Sequence, residues 1–221
     1  MIMLLESPFL SQHPYREYLE DIKCALKNVD SIYYRWTNHK VGETEFPSEE
    51  IEKAYCERVF AYELYHQIRK IMDVKPTPTR YENVYLNGET IKDNKFFTEI
   101  YAGLAEISTN FSNDKDNKRI PDLVLHKDLG STETEGQIYL AEIKMKDNEN
   151  ALDDLDKLTL LMKSKLNFTF YIFIYAGKNI DDFKADLSKR DTSYLSKNIV
   201  CICSKFGESK CMTLGEVLSE M

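Results

Sequence analysis

Two apolar stretches of the chain carry ionisable residues inside otherwise hydrophobic runs. They are Ile120-Pro121-Asp122-Leu123-Val124-Leu125 and Ile138-Tyr139-Leu140-Ala141-Glu142-Ile143-Lys144. Each is rich in β-branched, aromatic and leucine side chains and reads as a buried strand. Strand side chains alternate between faces, so Glu142 and Lys144 share one face. If the two strands pair, Asp122 reaches the same place from its neighbour. Charges inside buried strands are costly unless they are paired or bound to a metal. Two carboxylates and an ammonium converging at a sheet end therefore point to a divalent-cation site with a positioned lysine.

Other residues join the argument by periodicity. Along the helix expected over 52–72, Cys56, Phe60, Leu64, Ile68 and Ile71 form an apolar face at 3.6-residue spacing. Glu57 falls near the middle of that face and Glu63 nearer its edge, while Arg58, Tyr65 and Arg69 point away. A glutamate aimed at the core needs a counter-charge, which a metal site could supply. Lys146 continues the parity of Glu142 and Lys144, and His126 that of Asp122. His126 is read as a packed or exposed strand histidine. His13, His39 and His66 have no ligand spacing.

These residues need elements to hold them. An amphipathic helix is expected over 14–29, with Tyr18, Leu19, Ile22, Ala25, Leu26 and Val29 along one stripe. Residues 37–47 read as a polar loop. Ser48 is a good N-cap for the long helix, with acids in its first turns, and Pro76 and Pro78 end it. A strand is expected over 81–88, strand or mixed structure over 96–109, and polar loops over 110–118 and 128–136. The remainder alternates: a helix over 149–165, a strand from Phe168 to Tyr175, a helix over 180–189, a strand over 198–204 and a short helix over 213–220. That order implies an α/β fold with a mixed sheet covered by helices on both faces.

The totals narrow the possibilities. The chain has 221 residues, enough for one core, and 1–221 reads as a single domain. It divides into an N-terminal helical extension (1–47), a core (48–176) and C-terminal αβα elements that complete the sheet (177–221). No apolar run approaches the roughly 18 residues of a membrane span, and Met1 to Glu6 lacks the basic leader of a signal peptide. A cytoplasmic protein with no membrane partner is expected. The five cysteines are odd in number and contain no CxxC pair, so buried free thiols are expected rather than zinc or disulfides. A net charge of −8 argues against a general nucleic-acid binder, but not against a nuclease that lines one groove with basic residues.

Pro121-Asp122 followed by Glu142-Ile143-Lys144, after a helix carrying Glu57, resembles the PD-(D/E)XK superfamily of restriction-endonuclease-like nucleases. The resemblance covers roughly residues 50–175 and includes that family's αβββαβ element order. It implies a metal-dependent DNA endonuclease, a phosphodiester hydrolase using Mg²⁺ or Mn²⁺. By that resemblance Asp122 and Glu142 are metal ligands, the Ile143 carbonyl adds a third oxygen, and Lys144 orients the attacking water and stabilises developing charge. Glu57 is a further ligand or a supporting acid, with Glu63 as the alternative. The implied partners are DNA and a second copy of the chain. The implied setting is prokaryotic defence, restriction or mobile-element biology. The rival expectation is a binding or interaction module on the same fold with a weakened site, a DNA-mimicking inhibitor being its extreme.

Overall fold

The computed structural model describes residues 5–34, 49–88, 121–127, 137–145, 152–163 and 167–221, with side chains in the long helix from residue 57 onward. The expected loops at 37–47, 110–118 and 128–136, the mixed segment 96–109, Lys146 and the Cys56 side chain lie outside this description.

Among the described residues, six strands form one sheet in sequential order. They are β1 (Val84–Gly88), β2 (Leu123–Lys127), β3 (Gln137–Met145), β4 (Phe170–Ala176), β5 (Val200–Lys205) and β6 (Glu208–Thr213). The first three make an antiparallel meander; β3, β4 and β5 are parallel; β6 returns antiparallel to β5. Parallel neighbours require crossovers. These are supplied by α4 (Asp153–Met162) between β3 and β4, and by α5 (Ile180–Leu187) between β4 and β5. Before the sheet come α1 (Pro8–Ser11), α2 (Arg16–Asn28) and α3 (Glu49–Met72); α6 (Leu214–Ser219) closes the chain. The α/β class with a mixed, helix-covered sheet is therefore present. Among the described residues, no helix is long and apolar enough to cross a membrane.

The sheet separates two cores. On one side, Tyr139, Ala141 and Ile143 of β3 and Ile172 and Ile174 of β4 meet α2 and α3 through Leu19, Leu26, Phe60 and Leu64. On the other, Leu140 of β3 and Tyr171, Phe173 and Tyr175 of β4 meet Leu155 and Leu158 of α4 and Phe183 of α5. This alternation explains why Phe170–Ala176 is apolar throughout: every one of its residues is buried.

Helix α2 packs into the main core, where Ile22 and Leu26 are 1% and 0% exposed, and Glu6 accepts the Cys211 amide of β6. Two expectations are corrected. The C-terminal segment is αββα rather than αβα, because β6 was missed. Its sequence ESKCMT is polar over its first half, and only its last three residues are buried. The β5–β6 turn is Phe206-Gly207, with φ values of 52° and 83°. Two successive positive φ angles suit a tight hairpin, but the usual Asn-Gly or Asp-Gly signal is absent. Gly207 is doubly constrained, since a Cβ there would also lie 3.3 Å from the Lys27 carbonyl oxygen. Finally, β2 begins at Leu123 rather than Ile120, which puts Asp122 at the mouth of the strand.

Cys201 and Cys203 share a face of β5 within the α4–α5 core; they and Cys211 are buried free thiols, and Cys24 is free and half-buried. Phe60 anchors α3 against the sheet with no exposed surface. Phe60→Ala is expected to cost about 3–5 kcal/mol in urea unfolding. A change under about 1 kcal/mol would show that α3 does not pack as described.

Candidate functional site

β3 presents Glu142 and Lys144 on the face it shares with Leu140, toward α4. The antiparallel register sets Leu123 opposite Ala141, so Asp122 lies beside Glu142 where β2 starts. Asp122 Oδ2 accepts a hydrogen bond from the Ile143 amide at 2.6 Å, which fixes the carboxylate across the strand pair. The expected gathering of Asp122, Glu142 and Lys144 at one end of adjoining strands is thus observed. It lies at the carboxyl end of β3, where open α/β sheets place their ligands.

Glu57 reaches this point from the other layer. Its Oε1 accepts from Lys144 Nζ at 2.7 Å, and its Oε2 from the Met145 amide at 3.4 Å. Phe60 and Leu64, on the same helix, hold α3 on the opposite core, so Glu57 passes the end of the sheet to meet Lys144. Glu63 is committed elsewhere, accepting from Gln67 one turn along the helix. Of the two helix glutamates, Glu57 is the one that meets Lys144. Tyr65, expected to point away, instead packs partly on the core and donates its hydroxyl to the Leu86 carbonyl at 3.3 Å.

Sequence reasoning missed two members. Asp154 Oδ2 lies 3.4 Å from Lys144 Nζ, and Lys157 Nζ lies 2.6 Å from Glu142 Oε1. Both belong to α4. The signal was available: 154, 157, 158 and 161 fall on one helical stripe, and Leu158 and Leu161 of that stripe are buried. Charges on an apolar stripe need partners, as Glu57 did. His126, in contrast, is a packed strand histidine, bonded to Asn87 and to the Lys127 carbonyl oxygen.

The electrostatics follow from crowding and burial. Burial pushes Asp122 up to about 7, against the Ile143 hydrogen bond and the pull of Lys157 and Lys144. Glu142, 3% exposed, is also raised: burial dominates, Lys157 opposes it, and Asp122 and Asp154 add repulsion. Burial alone would lower Lys144, but Asp154 and Glu57 outweigh it and hold the ammonium protonated well above the ordinary lysine range.

Four carboxylates (Glu57, Asp122, Glu142 and Asp154) face two ammoniums (Lys144 and Lys157) in this cluster. Among the described residues no three acidic, histidine or cysteine side chains form a ready-made metal shell. In this cluster Lys144 pairs with both Glu57 and Asp154, and Lys157 pairs with Glu142. The donor set nonetheless fits Mg²⁺ or Mn²⁺ chemically, being hard oxygen throughout with an excess of negative charge. Asp154 Oδ2 is buried and accepts no hydrogen bond among the described residues. Asp122 and Glu142 would hold the ion, and lysine stems are long enough to yield to it.

Comparison with known proteins gives no match: no family model, curated protein or solved structure is recognisably similar to this chain.

The Asp122 shift has a consequence for stability. The folded chain keeps that proton up to about pH 7, whereas an unfolded chain releases it near about 3.9. Between those values folding takes up a proton, so stability falls as pH rises. With EDTA present, the fall due to this group is at most about 1.4 kcal/mol per pH unit across that window. Asp122→Asn is expected to flatten it in thermal melts compared near pH 5 and pH 7. Identical pH profiles for wild type and variant would contradict the buried carboxyl.

Proposed function

We propose that the protein is a metal-dependent nuclease of restriction-endonuclease-like type that hydrolyses DNA phosphodiester bonds. One observation carries this reading. Asp122, Glu142 and Lys144, from two paired strands, meet at the carboxyl end of β3 with Glu57 from the preceding helix. Among the described residues, the order α3, three antiparallel strands, α4 and parallel β4 adds support, since it matches the αβββαβ order of that class.

The roles follow from the site. Asp122 and Glu142 would hold Mg²⁺ or Mn²⁺, with the Ile143 carbonyl as a further oxygen donor. When bound, the ion would lower the pKa of water and polarise the phosphoryl oxygen. Lys144, fixed in its protonated form, serves as a hydrogen-bond donor and positive charge rather than as a base. It can orient the attacking water and offset charge on the phosphate oxygens. Glu57 and Asp154 aim the Lys144 ammonium, so Glu57 acts as a positioning acid. Lys157 favours the ionised form of Glu142, the form a metal requires. By analogy with that class, we place the activity in cytoplasmic prokaryotic defence, restriction or mobile-element biology. A homodimer would let a protomer of net charge −8 build a basic groove between copies.

The two lysine–carboxylate pairs favour a second reading, an interaction module with a weakened site. Incubation with plasmid and labelled oligonucleotides in Mg²⁺, Mn²⁺ or EDTA separates the two. The wild type is expected to cleave only with metal. Lys144→Ala and Asp122→Ala are expected to keep the circular-dichroism spectrum and lose about 10²–10³-fold or more in rate. A Lys144→Ala protein as active as wild type would remove the mechanism, and a wild type that cleaves nothing would favour the interaction module.

A further inference from the structure

A cleft opens beside the acidic centre, between α3 and the β1–β2 edge. Its walls include Arg58, Ala61, Tyr62, Tyr65, Gly88 and Asp122, and its volume is about 100 Å³. Pockets that engulf small molecules measure about 300–1,000 Å³. A cleft this size accepts one group of a ligand whose bulk lies outside it, as an extended polymer would present.

The wall chemistry is specific. Arg58 and Tyr62 stand one turn apart on α3, and Tyr65 follows three residues later, so all three border the same groove. Tyr62 is 51% exposed despite its size, so its side chain is not sealed in the core. Tyr65 is fixed by its hydrogen bond to the Leu86 carbonyl and makes a rigid side. Ala61 and Gly88 keep the notch open. A Cβ at Gly88 would meet Tyr65 Cδ2 at 3.7 Å and the Asp122 carbonyl oxygen at 3.8 Å. Both are ordinary contacts, so a larger side chain there would fill the cleft without straining the backbone.

We propose that this cleft is a subsite for one unpaired nucleotide beside the scissile phosphate, with its base stacked on Tyr62 and its phosphate held by Arg58. The inference rests on the nuclease reading and narrows its substrate to single-stranded DNA or an unpaired junction. A base within a duplex has both faces covered by its neighbours, whereas a splayed base offers its face to an aromatic ring.

The test compares wild type, Tyr62→Ala, Tyr62→Phe, Arg58→Ala and Gly88→Val on a fluorescein-labelled single-stranded oligonucleotide and on its blunt duplex. Cleavage in Mn²⁺ gives KM and kcat; anisotropy in EDTA gives Kd. The wild type should prefer the single strand. Tyr62→Ala should raise KM and Kd for it on the order of tenfold, the usual scale for one stacked base, with a smaller change in kcat. Tyr62→Phe should restore both, and Gly88→Val should match the alanine variant by blocking the cleft. Cleavage that prefers the duplex, or that is unaltered by Tyr62→Ala and Gly88→Val, overturns the subsite and leaves the nuclease reading standing. Tyr62-dependent binding without cleavage keeps the subsite and removes the nuclease. A wild type that neither binds nor cleaves the single strand removes both.

Discussion

Everything at the candidate site depends on an imbalance of charge in a place with little water. The carboxyl end of β3 gathers four acids and two lysines, and burial weakens the solvation that would otherwise tolerate the excess. Such a cluster has two ways to relieve itself. It can hold protons, which is what the upward shifts of Asp122 and Glu142 express. Or it can accept a divalent cation, which offsets two charges at once and restores ordinary carboxylates. The lysines moderate the excess but do not remove it. For stability alone the arrangement is a poor choice, since apolar residues of similar volume often do as well or better. Structural ion-pair networks and functional sites both carry such perturbed groups, and the nuclease proposal takes the second reading.

The fold supplies the imbalance by bringing both helical layers to one end of one strand. β3 lies between β2 and β4 and contributes a glutamate and a lysine on the same face. The meander brings Asp122 in from β2, and the Ile143 amide fixes its carboxylate. The crossover helix α4 adds Asp154 and Lys157 from one face, while α3 adds Glu57 past the end of the sheet from the other. Each helix is anchored by apolar neighbours of the charged residue: Phe60 and Leu64 on α3, Leu155 and Leu158 on α4. The charges are therefore carried on rigid elements, which a preorganised catalytic site requires.

Much of this was legible in the residues. Strand alternation put Glu142 and Lys144 together, and helical periodicity singled out Glu57, because both patterns are local and regular. Asp154 and Lys157 obey the same helical rule but were overlooked, because the helix expected over 149–165 was given no inward face. Tyr65 lies off the apolar face by angle, yet its long ring reaches the neighbouring strand, which helical spacing does not encode. The missing β6 has another cause. Its first half is solvent-facing and polar, and its turn reaches positive φ through Phe206-Gly207 rather than the commoner Asn-Gly. The choice of Glu57 over Glu63 needed coordinates, since both lie on inward-facing arcs of one helix and only tertiary packing decides which meets Lys144.

The central claim, that the acid excess at the end of β3 is a seat for a divalent cation, is tested most directly by electron paramagnetic resonance of Mn²⁺ titrated into the protein. The account predicts saturable quenching of the free-ion signal by wild type, competed by Mg²⁺ and strongly weakened in both Asp122→Asn and Glu142→Gln. Quenching that is absent in wild type, or undiminished when both carboxylates are neutralised together, would contradict it.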